Sequence, residues 1–90
     1  MKVKVKMYSY QGMKGIIYTD SGLRKFLKIR DFVHEAIKKT GCIRMENVIS
    51  YVAGDPWEAM ACVDRLVELG EISEIFQPYV PGQNRIFIKS

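Results

Sequence analysis

Few residues in this 90-residue chain have side chains suited to metal binding or to catalysis. There is one histidine, His34, and there are two cysteines, Cys42 and Cys62. A structural zinc site takes four nitrogen or sulfur ligands, so these three cannot supply one and no metal site is expected. No serine or cysteine stands at a recognisable spacing from a paired base, and there is no glycine-rich phosphate loop. His34 adjoins an apolar-periodic position and reads as a surface or boundary residue. Cys62 and Cys42 read as small core hydrophobes. The expectation is a protein that is not an enzyme, with no cofactor and no small-molecule substrate.

Charge is the stronger chemical signal. The net charge is +4 and the isoelectric point about 9.2, which favours an anionic partner. Residues 1–45 carry 11 Lys/Arg and 3 Asp/Glu, giving +8; residues 46–90 carry 3 and 7, giving −4. Lys2, Lys4 and Lys6 alternate with Val3, Val5 and Met7, and Tyr8 and Tyr10 share the lysines' parity. Such a face can follow a phosphate backbone with tyrosines ready to stack. The same lysines would guard an edge strand against sheet-to-sheet pairing, and that reading is preferred for this strand. Arg24, Lys25, Lys28, Arg30, Lys38 and Lys39 either extend the basic patch or form a solvated helix face.

These residues need elements to position them. At 48% hydrophobic and 27% charged the composition is that of a globular chain, and the length suits one domain over residues 1–90. No apolar run approaches the roughly 18–20 residues that span a bilayer, and the N-terminus lacks a signal peptide's apolar stretch. A cytoplasmic protein with no membrane partner is expected. The alternation over 2–10, the glycines Gly12 and Gly15, and Ile16-Ile17-Tyr18-Thr19 predict an N-terminal β-hairpin over residues 1–19. Asp20 and Ser21 can cap a helix whose apolar positions Leu23, Phe26, Ile29, Val33 and Ile37 recur at steps of three and four. Lys38, Lys39 and Gly41 end it. Cys42–Arg44 is a three-residue strand, and a short helix over residues 45–52 follows. Asp55-Pro56-Trp57-Glu58 is a start signal: an N-cap, a proline at N1 and a glutamate at N3 as in a capping box. That helix runs to Leu69. Two strands, 71–76 and 85–89, flank a turn rich in Pro, Gly and Asn.

Helix, three-residue strand, short helix, longer helix, hairpin is the order of a winged helix-turn-helix. The run Val63-Asp64-Arg65-Leu66-Val67-Glu68-Leu69-Gly70-Glu71-Ile72 resembles the end of a recognition helix entering the first wing strand, and Pro81-Gly82-Gln83-Asn84-Arg85 resembles a wing tip. The resemblance covers roughly residues 23–90. The expected fold is therefore α+β: a winged-helix core over residues 21–90, with three helices, a short strand and a C-terminal β-hairpin wing, preceded by the N-terminal hairpin. Known winged-helix domains mostly bind duplex DNA, with the second helix of the turn in the major groove and the wing on the backbone or minor groove. The resemblance implies that role for Asp55–Leu69 and for the wing around Arg85, and with it a transcription regulator and a possible dimer.

A helical projection tests that implication. At 100° per residue, Ala59, Cys62, Val63, Leu66, Val67 and Leu69 face inward, and Trp57, Ala61, Asp64, Arg65 and Glu68 face outward with Glu58 and Met60 at the margins. Phosphate and base contacts call for Arg, Lys, Asn or Gln, yet this face is mostly acidic. The candidate DNA contacts are thus Arg65, Gln83, Asn84 and Arg85, with Lys4 and Lys6 giving electrostatic affinity; an arginine such as Arg85 suits a minor groove. The alternative is a protein-interaction or homodimerisation module. Its candidate patch is Trp57, Met60 and Ala61, ringed by Asp64 and Glu68.

Overall fold

The computed structural model describes residues 8–52, 54–75 and 84–90. Its longest element is set up by Thr19, whose side chain accepts the Gly22 amide at 3.0 Å and so caps α2 (Asp20–Thr40). The cap thus falls one residue before Asp20, which occupies the first turn. Lys38 and Lys39 lie in the last turn, and Gly41 stops the helix in the left-handed region at φ 88°, its amide bonding the Ile37 carbonyl at 2.7 Å. Phe26, Ile29, Val33 and Ile37 form the buried stripe of α2; Leu23 is half exposed.

β1 (Cys42–Arg44) follows, then α3 (Met45–Tyr51) and α4 (Pro56–Glu68). β2 (Ile72–Ile75) and β3 (Ile86–Lys89) complete an antiparallel sheet of order β1-β3-β2. The last strand therefore lies between the other two, with Phe87 opposite Ile43 on one side and Glu74 on the other. Ile43, Ile72 and Phe87 are buried and meet the inward faces of α2, α3 and α4 in one core. The molecule is thus a mixed α+β fold. Cys42 sits on the exposed parity of β1, so the expectation that it packs in the core is corrected; Cys62 is buried, and burial raises its thiol pKa to about 11.

The N-terminal hairpin is also corrected. Residues 2–7, with Lys4 and Lys6, lie outside the described residues. Beyond them no return strand forms. Tyr10–Met13 is a single α-helical turn, α1, started by the Ser9 side chain accepting the Gly12 amide, and Lys14–Tyr18 is a 3₁₀ turn. The β-branched pair Ile16-Ile17 suggested a strand because only local alternation was read. In the fold Ile17 alone of this segment is buried (3% exposed), anchored in the helical core. Such burial contributes about 1.5–3 kcal/mol, enough to favour a compact turn over a lone strand pair. Gly22 makes the close approach possible. A Cβ there would stand 1.8 Å from the Ile16 carbonyl oxygen, so the 3₁₀ turn rests directly on the first turn of α2.

Candidate nucleic-acid interface

Asp55 caps α4 by accepting the Trp57 amide at 2.9 Å, with Pro56 beginning the helix. Glu58 does not close the capping box. Its carboxylate instead takes the Lys25 ammonium of α2 at 2.9 Å. The inward set holds for Ala59, Cys62, Val63 and Leu66, while Leu69, at the end of the helix, is 47% exposed.

The outward face of α4 is covered by the N-terminal segment. Tyr8 donates its phenol hydrogen to Asp64, and its ring meets Trp57 edge-on at 6.3 Å between centroids. Tyr10 donates to Glu68 at 2.7 Å, and Lys14 and Arg65 reach the same carboxylate at 2.8 and 2.7 Å. The Arg65 guanidinium also lies 5.8 Å from the Tyr18 ring centre. Three donors, Lys14 first, hold the Glu68 carboxyl down at about 2. Burial, then the bond to a carboxylate, pushes the Tyr8 and Tyr10 phenols well above their ordinary value. Under this cover Met60 and Ala61 are buried (8% and 0% exposed), so the expectation that they form an open patch with Trp57 is corrected. Trp57 itself is half-buried. The helical projection could not foresee this, because it assumed solvent on the side away from the core.

Arg85 is held as firmly. Its guanidinium takes both oxygens of Glu74, at 2.9 and 2.7 Å, reaches Asp64 at 2.6 Å, and lies over the Phe87 ring. The fork bound to Glu74, with Asp64 behind it, raises its pKa further. The fold therefore brings Arg65, Arg85, Asp64, Glu68 and Trp57 together, but as a web of mutual partners. Asn84 is exposed just before β3, and Gln83 lies outside the described residues. His34 bonds Glu71 through Nε2 at 2.6 Å.

The ion pairs show which of the described cations are left over. All the described glutamates have a basic partner: Glu35 with Lys39, Glu46 with Arg44, Glu58 with Lys25, Glu68 with Lys14 and Arg65, Glu71 with His34, Glu74 with Arg85. Arg24, Lys28 and Lys38 on α2, and Lys89 at the end of β3, have no ion-pair partner among the described residues. Arg24 and Lys28, with Lys25, line an open groove of about 620 Å³ against Tyr51 and Val52 of the α3 end. Tyr51 is 47% exposed and stacks one ring face on Phe32, 4.0 Å between centroids at 10°. The sequence reading had the three cations but not Tyr51, which carries no charge and sits at the end of a seven-residue helix.

Comparisons with protein-family models, with curated proteins and with solved structures find no match to this chain. No described helix is long and apolar enough to cross a membrane.

Proposed function

We propose that this chain is a winged-helix domain that binds DNA by its phosphate backbone from α2, with α4 withheld from the major groove. The winged-helix reading is supported by the element order α2-β1-α3-α4-β2-β3 and by the third strand lying between the first two. The observation that carries the binding mode is the partition of charge. The acidic residues of α4 and β2 are neutralised by the chain's own cations, with two phenols donating to Asp64 and Glu68, while Arg24 and Lys28 face a groove that holds no carboxylate among its described lining residues. Three ordered consequences follow. Affinity is electrostatic, sequence preference is weak, and arginines already bound to carboxylates contribute little, since breaking their bonds would cancel what phosphate returns.

The test is anisotropy of labelled duplex DNA titrated with the protein across a salt series. Log K is expected to fall linearly with log salt, at about −0.9 per phosphate neutralised. Arg24→Ala/Lys28→Ala is expected to flatten the slope by about 2 contacts and weaken binding roughly uniformly across sequences. Arg65→Ala is expected to leave the slope unchanged. A duplex bound no tighter than about 100 μM at low salt, the weak end of non-specific affinity, would overturn the proposal.

A further inference from the structure

We infer that the groove between α2 and α3 holds one unpaired nucleotide of a DNA strand, its base on the open face of Tyr51 and its phosphates on Arg24 and Lys28. This rests on the backbone-binding proposal above and names the form of DNA that the same groove takes best.

The argument begins with the ring. One face of Tyr51 lies nearly parallel on Phe32. No ring or cation occupies its other face among the described residues, and the side chain is 47% exposed as part of the groove wall. An aromatic ring fixed from behind is a rigid platform, and a planar base landing on it loses little further side-chain freedom. Stacking of this kind tolerates any base, because every base has a π-face. A base inside a duplex cannot use it, since both its faces are already stacked on neighbours.

The cations supply the second half of the recognition. Arg24 and Lys28 are one helical turn apart on α2, so they present two adjacent positive charges along the groove. Lys25 between them is partly neutralised by Glu58 at its back. Val52 adds an apolar edge on the side of Tyr51. Cation pair, aromatic platform and apolar edge together match a phosphate–sugar–base unit. An acidic peptide would engage the cations and leave the ring idle.

The experiment compares a labelled oligothymidylate with a blunt duplex of the same length, by anisotropy, on the full chain. The single strand is expected to bind more tightly than the duplex. Tyr51→Ala is expected to weaken single-strand binding about 5- to 150-fold, the range for loss of one base–aromatic stack, while leaving duplex binding within about 2-fold. Tyr51→Phe is expected to restore it, since the ring and not the hydroxyl does the stacking. If Tyr51→Ala does not fold, the wild-type protein gives the same readout: the Tyr51 ring protons are expected to shift upfield in NMR spectra on addition of the oligothymidylate. Equal single-strand affinity for wild-type protein and folded Tyr51→Ala, unshifted ring protons, or displacement of the labelled oligothymidylate by polyglutamate as effective as that by unlabelled oligothymidylate of equal charge would each overturn the inference. Loss of duplex binding in Arg24→Ala/Lys28→Ala with no effect of Tyr51→Ala would leave the backbone proposal standing and remove this one. Insensitivity of both DNA forms to Arg24→Ala/Lys28→Ala would remove both.

Discussion

Arg85 illustrates how a single side chain changes meaning between sequence and fold. Read along the chain, an arginine at a turn beside Gln83 and Asn84 suits a minor groove. In space it is the common partner of Asp64 and Glu74, its own side chain 19% exposed and that of Asp64 14%. Arg85→Ala would leave two carboxylates without their cation. Exposed pairs are worth about 0–1 kcal/mol and fully buried ones cost about 3–5 kcal/mol to break, so this partly buried web is expected to cost about 1–3 kcal/mol by urea denaturation. Arg85→Lys is expected to recover only part of that, because a lysine cannot reproduce the two-oxygen grip on Glu74. Glu68 gives a pH signature at the same scale. Its carboxyl is held at about 2 in the fold, below the ordinary value of 4.5. The stability it confers is complete above pH 4.5 and is lost as pH falls towards 2. Acid titration of stability should therefore slope upward with pH across that window, and Glu68→Gln should flatten it.

At the scale of elements, the parts of the chain with local punctuation were legible and the parts defined by a distant partner were not. Gly41, the Asp55-Pro56 start and the three-residue strand Cys42–Arg44 are written in caps, glycine and β-branched residues, and all three stand within a residue of where the sequence put them. Residues 10–18 carry two glycines and a β-branched pair as well, but read locally these spell a turn and a return strand. Their structure depends on Ile17 entering a core built by residues far along the chain, and on Tyr10 and Lys14 meeting Glu68 more than 50 positions away. The candidate site failed in the same place, since the cover on α4 comes from that segment. A hint was present all the same: a basic first half and an acidic second half attract one another before they attract anything else. Gly22→Ala tests how firmly the cover is seated. The new methyl would collide with the Ile16 carbonyl, which belongs to backbone and cannot swing aside. A loss of about 1–3 kcal/mol is expected, with trypsin cutting after Lys14 sooner than in the wild-type protein. If stability and the cleavage rate were unchanged, the 3₁₀ turn would not sit on α2 as described.

The whole molecule has a net charge of +4, but the net value hides how the field is shaped. Among the described residues, opposite charges are cancelled pairwise around α4 and the sheet, and the cations left without an ion-pair partner are Arg24, Lys28 and Lys38 along α2 and Lys89 at the end of β3. On the proposed reading, the three α2 cations draw a polyanion to that helix, most strongly within a Debye length of about 8–10 Å at ordinary salt. Glu58 is the hinge of that pattern, because it neutralises the one groove cation that is paired across elements, Lys25. Replacing it with glutamine keeps a hydrogen-bond acceptor near Lys25 while removing the countercharge. Loss of an acidic residue from the first turn of α4 is expected to cost no more than about 0.3–1 kcal/mol of stability. DNA affinity is expected to move the other way. With Lys25 released, about one further phosphate is neutralised, so the salt slope of Glu58→Gln should steepen by about 0.9 and affinity at low salt should rise. Asp55→Asn, an N-cap change on the same helix that releases no groove cation, should leave the slope as it is. Identical slopes for Glu58→Gln and wild-type protein would mean that DNA does not reach Lys25, and that the positive side of this molecule lies elsewhere on its surface.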